Sequence, residues 1–266
     1  MQIVYLVRYS FFGSSGWRSP ASKDPGLLFE PSRLEKRARF FEQITLASLR
    51  AQTDTDFHVI VLSSEGMPRR FKTQLREATQ DALGPRGHVL FNKPARAGSR
   101  FRQYLLRNLA DAPFTAQVVL DDDDAVATDF TATLRAEADL ASRQLLGPRD
   151  YCFLSFARGV SGIFSPELTG LHHRVSPFTN LGLTLVAPTQ TARSPFFVAH
   201  KRLAPRHPAR LIYNRRPLYL RAVHDTNDSR AQVADDPVTE AQRAMVLERF
   251  PFLAELEAQP LTVAAE

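Results

Sequence analysis

Ala116-Gln117-Val118-Val119-Leu120 is a largely apolar run of strand length, and it leads straight into four consecutive carboxylates, Asp121-Asp122-Asp123-Asp124. Working outward, the segment before it, Ser99 to Leu109, has helical spacing with Phe101, Leu105 and Leu109 on one face. Earlier still, Ile3–Tyr9, Phe57–Leu62 and His88–Phe91 are β-branched and aromatic runs that read as strands. Helical patterns separate them: one from Arg33, with Phe40, Ile44, Ala47 and Ala51 on a stripe, and one from Pro68 to about Ala82 that Gly84-Pro85 stops. Strands alternating with helices predict an α/β fold with a mostly parallel central sheet flanked by helices. In such sheets ligands bind at the carboxyl ends of the strands, and the acidic run occupies one of those ends.

The first strand is followed by Ser10–Ser32, rich in Gly, Ser and Pro and read as a long loop, with Ser32 and Glu35 expected to form a capping box for the next helix. After Asp129 a helix is predicted to about Leu145, closed by Gly147-Pro148. The second half is more irregular. Tyr151–Ala157, Leu181–Val186, Arg210–Tyr213 and Pro217–Val223 read as strands. Gly159, Gly162, Pro166 and Gly170 read as turns, and a last helix is expected from Pro237 with Asp236 as its cap. No repeat and no linker divides the chain. The expectation is one domain over 1–266, made of a first half (1–130), a second half (131–235) and a C-terminal helix and tail (236–266).

Composition is that of an ordinary globular chain: 44% hydrophobic and 23% charged over 266 residues. The lone Cys152 excludes an internal disulfide and fits a reducing cytoplasm. No stretch reaches the roughly 20 apolar residues a membrane span needs, and the opening residues lack the features of a signal peptide. A net charge of +6, carried mainly by arginine, favours anionic partners, including peripheral contact with an anionic membrane face. The arginines are scattered without nucleic-acid motifs, so no nucleic-acid partner is expected.

Four adjacent carboxylates repel one another and need a cation or full solvation. On an extended segment Asp121 and Asp123 would share one side, Asp122 and Asp124 the other. Mg²⁺ or Mn²⁺ takes one or two carboxylates together with substrate phosphates and water. The run also suits the positive end of the helix after Asp129, which accounts for one aspartate better than for four.

Gly98-Ser99-Arg100 through Arg107-Asn108, followed by the strand and the acidic run, resembles the donor half of family-2 glycosyltransferases, with their Asp-x-Asp motif. Arg39-Phe40-Phe41-Glu42, Thr45 to Asp54 and His224-Asp225-Thr226-Asn227-Asp228-Ser229-Arg230 resemble a bacterial group described as rhamnosyltransferases. The resemblance implies a GT-A fold and a nucleoside-diphosphate sugar as donor, with transfer, possibly of rhamnose, to a saccharide or lipid-linked acceptor. Residue by residue it implies that Asp123, Asp121 and His224 hold the metal, and that Arg8, Ser10, Arg100, Asp121 and Asp122 meet the nucleotide. His224 and its neighbours equally fit a plain turn. An inverting transferase needs a carboxylate base, yet Leu168–Val223 has no Asp or Glu. Glu167, Asp225 and Asp228 are the carboxylates near enough in sequence, and of these Asp225, beside His224, is the base expected. Competing readings are a haloacid-dehalogenase-like phosphatase, whose Asp-x-Asp normally follows the first strand, a nucleotidyltransferase, which lacks its Gly-rich loop here, and a calcium- or carbohydrate-binding module.

Overall fold

The protein, seen as a computed structural model, is described over residues 1–14, 19–145, 150–165, 167–191, 193–200, 203–225, 227 and 233–258. In chain order its main elements are β1 Gln2–Arg8, α1 Pro25–Leu28, α2 Pro31–Phe40, α3 Ala47–Arg50, β2 Phe57–Ser64, α4 Arg69–Leu83, β3 Gly87–Asn92, α5 Ala97–Asn108, β4 Phe114–Asp121 and β5 Ala125–Val126. There follow α6 Phe130–Ser142, β6 Cys152–Phe156, β7 Arg158–Phe164, β8 Leu168–Val175, β9 Thr184–Pro188, β10 Ala209–Ile212, β11 Tyr219–Val223, α7 Glu240–Arg249 and α8 Phe252–Ala258.

Among the described residues seven strands form the main sheet in the order β10-β6-β9-β4-β1-β2-β3. All are parallel except β9, which runs antiparallel to both neighbours. This is the mostly parallel, helix-flanked α/β sheet that the alternation predicts. Ile3, Val4, Leu6, Ile60 and Leu120 on its central strands are fully buried, as strands covered on both faces require. A second sheet, β5-β11-β7-β8, shares one apolar core with the first.

Several local readings need correction. The helix expected from Arg33 begins at Pro31, and Glu30 caps it by accepting from the Ser32 and Arg33 amides, so the Ser32–Glu35 box does not form. The Ser10–Ser32 stretch carries short helical pieces, including α1. Gly159, Gly162 and Gly170 lie within β7 and β8 rather than in turns. The reason at Gly159 is close approach: a Cβ there would sit 2.4 Å from the Tyr219 ring of β11 and 2.5 Å from its carbonyl oxygen. Gly159→Ala is therefore expected to lower stability by about 1–3 kcal/mol, the usual cost of overpacking; an unchanged melting temperature would contradict this packing. The helix expected from Pro237 starts at Glu240 as α7, where Thr239 and Gln242 form the capping box, while Asp236 uses its carbonyl to accept from the His173 amide, and α8 follows it. Gly147-Pro148 and Pro166 lie outside the described residues. So do Thr226 and Asp228-Ser229-Arg230 of the motif after His224.

Cys152 is half-buried, and burial pushes its thiol pKa up, which leaves it a poor nucleophile. Among the described residues no helix is long and apolar enough to cross a membrane.

Candidate active site

The acidic run is a turn, not an extended strand end. Asp124 N–H faces the Asp121 carbonyl at 3.4 Å, and β5 begins one residue later. The four side chains therefore do not alternate between two sides. Each meets its own basic partner.

Asp121, at the end of β4, accepts from Arg8 Nη2 at 3.1 Å, and the Arg8 guanidinium lies over the Phe196 ring. Arg8 itself is buried. Asp122 is fully buried and takes Arg37 of α2 on both carboxylate oxygens. The same guanidinium reaches Asp123 Oδ2 at 3.4 Å. Asp123 Oδ2 also meets His224 Nε2 at 3.2 Å and the Asn227 amide at 3.1 Å. Asp124 accepts from the Ala222 amide at 2.9 Å, and its Oδ2 stands 3.6 Å from Arg221.

The pairing of β5 with β11 makes this convergence possible. Ala125 lies opposite Leu220 in antiparallel register, so residues preceding Ala125 face residues following Leu220. That brings Ala222, Arg221 and His224 onto aspartates about a hundred positions earlier. His224 is fixed further by stacking on Phe40 of α2, with ring centroids 3.9 Å apart. Asn227 completes the clamp: its Oδ1 accepts from the His224 amide at 2.7 Å.

Behind the turn, α2 and α3 are joined by a π-helical segment, Phe41–Leu46. This irregularity sets the phase of the helix so that Thr45 Oγ1 donates to the Asp124 carbonyl at 2.9 Å. Gln52 donates to the Ala127 carbonyl and accepts from both the amide and hydroxyl of Thr131. The Thr45–Asp54 stretch is thus the buttress of the acidic turn.

The electrostatics follow from burial and the pairing. Burial works to raise the Asp123 pKa, but the charge of Arg37, the hydrogen bond and charge of His224 and the charge of Arg221 outweigh it, holding Asp123 below the usual carboxylate range. For Asp124 burial dominates, and although Arg221 opposes it, the adjacent Asp123 and Asp121 add to it, so its pKa rises well above the ordinary value. The two neighbours are thus pushed in opposite directions, Asp123 down by its cationic partners and Asp124 up by burial.

The residues expected to meet a ligand are therefore placed as follows. Asp121, Asp123, His224 and Arg8 come together. Asp122, expected at the nucleotide, is instead sealed in the interior by Arg37. Ser10 is also fully buried; its backbone has φ 43° and its hydroxyl accepts from Arg33, so it shapes the exit from β1 rather than offering a free group. Arg100, in the first turn of α5, contacts Gln103 at 3.4 Å and makes no ion pair with the aspartates. Asp225 is exposed and pairs with Lys36 at 2.9 Å. Sequence reasoning missed Arg37 and Arg221. The available signal for Arg37 was a charged residue three positions before Phe40, on the buried stripe of α2.

Asp123 Oδ2 and His224 Nε2 form a carboxylate–imidazole pair of the kind that takes a cation in two-ligand sites finished by phosphate and water. Among the described residues no group of three or more metal-ligating side chains is gathered.

A family model described as "Putative rhamnosyl transferase" matches residues 2–236. Among solved structures the chain is similar to S. aureus TarS, 15% identical with a TM-score of 0.44 over 84% of this chain and 37% of that one. A crystal structure of TarS 1–349 in complex with UDP is 14% identical, with a TM-score of 0.43 over 84% of this chain and 61% of that one. The glycosyltransferase GlyE of Streptococcus pneumoniae TIGR4 is 10% identical, with a TM-score of 0.36 over 100% and 66% of the two chains. The chain thus spans 37% and 61% of the two TarS chains. No curated protein matches it.

Proposed function

The chain belongs to the family described as putative rhamnosyl transferases, and on that premise we propose that it moves a sugar from a nucleoside-diphosphate donor to a saccharide or lipid-linked acceptor. One observation carries the reading: the β5–β11 pairing sets His224 and Asn227 on Asp123, at the carboxyl end of β4, where a parallel sheet binds its ligands.

In this reading residues 1–130 bind the donor and 131–235 the acceptor, ahead of the C-terminal segment 236–266. Asp121, the most exposed of the four aspartates, faces the donor, held in place by Arg8. Arg100 serves the phosphates from α5, its fork matching their oxygens. Asp123 and His224, with Asp121 beside them, would hold Mn²⁺ or Mg²⁺, which supplies Lewis-acid neutralisation of the diphosphate. During transfer an acceptor oxygen bonds to the anomeric carbon while the bond to the diphosphate breaks, its electron pair leaving with the nucleotide. The acceptor proton passes to Asp225, whose exposed carboxylate adjoins His224. Rhamnose as the sugar rests on the family's description. A cytoplasmic setting, with contact at the membrane's inner face, rests on the single cysteine and the basic charge.

A ligand that binds only the folded state raises stability. One of UDP, GDP and dTDP, added with Mn²⁺, is expected to raise the melting temperature of the wild type, and Asp121→Ala is expected to abolish that rise. Absence of any response to the three nucleotides would count against the donor site.

A further inference from the structure

From Leu168 to Val223 the chain carries eight arginines and Lys201 without one acidic residue, so this stretch is a concentrated source of positive charge. The topology places part of it at the reaction edge of the sheet. β10, β6 and β4 run in the same direction, so Tyr213 just past β10, Arg158 just past β6 and Asp121 at the end of β4 all leave the sheet at one edge. At about 4.8 Å between neighbouring strands, the end of β10 lies roughly 14 Å from the end of β4. That is a span for a short saccharide.

Tyr213 is 61% exposed and Val175 62%, both far from the norm for large apolar groups in this molecule. Val175 pairs in register with Arg158. Asn214 fastens the Tyr213 segment to the same place, accepting from the Arg158 amide at 3.3 Å and donating to the Arg158 carbonyl at 2.9 Å. Arg158 and Arg215 are exposed and have no carboxylate partner among the described residues. Their neighbours differ: Arg210 is held by Glu137 at 3.0 Å, and Arg216 lies 4.0 Å from Glu248. An exposed phenol ring whose segment carries Arg215 two residues on and is tied through Asn214 to Arg158 is a surface for a sugar that bears negative charge.

Resting on the transferase reading above, we infer that the acceptor is an anionic saccharide, with a sugar ring on Tyr213 and its phosphate or carboxylate held by Arg158 and Arg215. The test measures equilibrium binding of the full chain to three oligosaccharides of matched length: an oligogalacturonate, a phosphorylated maltohexaose and neutral maltohexaose. At least one anionic probe is expected to bind about tenfold more tightly than maltohexaose, and which of the two binds tells carboxylate from phosphate. Arg158→Gln combined with Arg215→Gln should weaken that probe about tenfold while leaving nucleotide stabilisation unchanged. Tyr213→Ala should weaken it too. Equal binding of maltohexaose, an unaltered affinity in the double variant, or equally tight binding of an oligodeoxynucleotide would overturn the inference. If nucleotide stabilisation is absent while anionic binding persists, the transferase reading falls and the anionic saccharide site stands.

Discussion

Arg37→Met is expected to lower the unfolding free energy by about 3–5 kcal/mol, the usual consequence of leaving one member of a buried ion pair behind. Asp122 is fully buried and both of its oxygens are occupied by the Arg37 guanidinium. Without it the carboxylate must stay charged in the interior or take up a proton, and either costs free energy. The loss should also loosen Asp123, which shares the same guanidinium. The double variant Arg37→Met/Asp122→Asn removes the stranded charge and is expected to recover more than half of the loss. Urea unfolding of the two variants separates these cases. A single-variant cost under about 1 kcal/mol would mean the pair behaves like an exposed one.

The second large effect is expected at Asp123. Asp123→Ala should reduce turnover of a sugar nucleotide by about 10²–10³-fold, the scale of removing a preorganised group from a site of developing charge. Its effect on stability should be smaller than that of Arg37→Met, because Arg37 keeps Asp122 as its partner. Asn227 would still hold the His224 backbone through its own amide contact. The contrast is informative: one buried charge pair belongs to the fold, and the neighbouring carboxylate belongs to the proposed chemistry. Comparable losses of stability and activity in both variants would dissolve that distinction.

How far the molecule could be read from its residues depends on how local each signal is. β1, β2, β3 and β4 announce themselves through β-branched and aromatic runs, and the α4 stop at Gly84 has a positive φ of 56° that glycine supplies. The sheet and the position of the acidic run at its edge were legible for that reason. Glycines 159, 162 and 170 misled because glycine marks turns and also close strand contacts, and only the Tyr219 ring opposite Gly159 tells the two apart. At the site, four adjacent aspartates signalled a need for cations. The cations present are guanidiniums supplied from Arg8, Arg37 and Arg221, and their separations of 113, 85 and 97 residues from Asp121, Asp122 and Asp124 leave no periodic trace. The fate of each carboxylate, sealed by Arg37 at Asp122, buried beside Arg221 at Asp124, clamped by His224 and Asn227 at Asp123 and partly exposed at Asp121, comes from burial and partners that no spacing encodes.

The most direct measurement is release of nucleoside diphosphate from UDP-, GDP- and dTDP-sugars by the purified chain, run beside Asp121→Ala and Asp123→Ala and beside a simple phosphate ester. Release from one sugar nucleotide class, lost in both variants, with the phosphate ester untouched, is the result predicted. Hydrolysis of the phosphate ester with a phosphorylated aspartate, and no release from any sugar nucleotide, would contradict the transferase account and move the acidic turn to phosphatase chemistry.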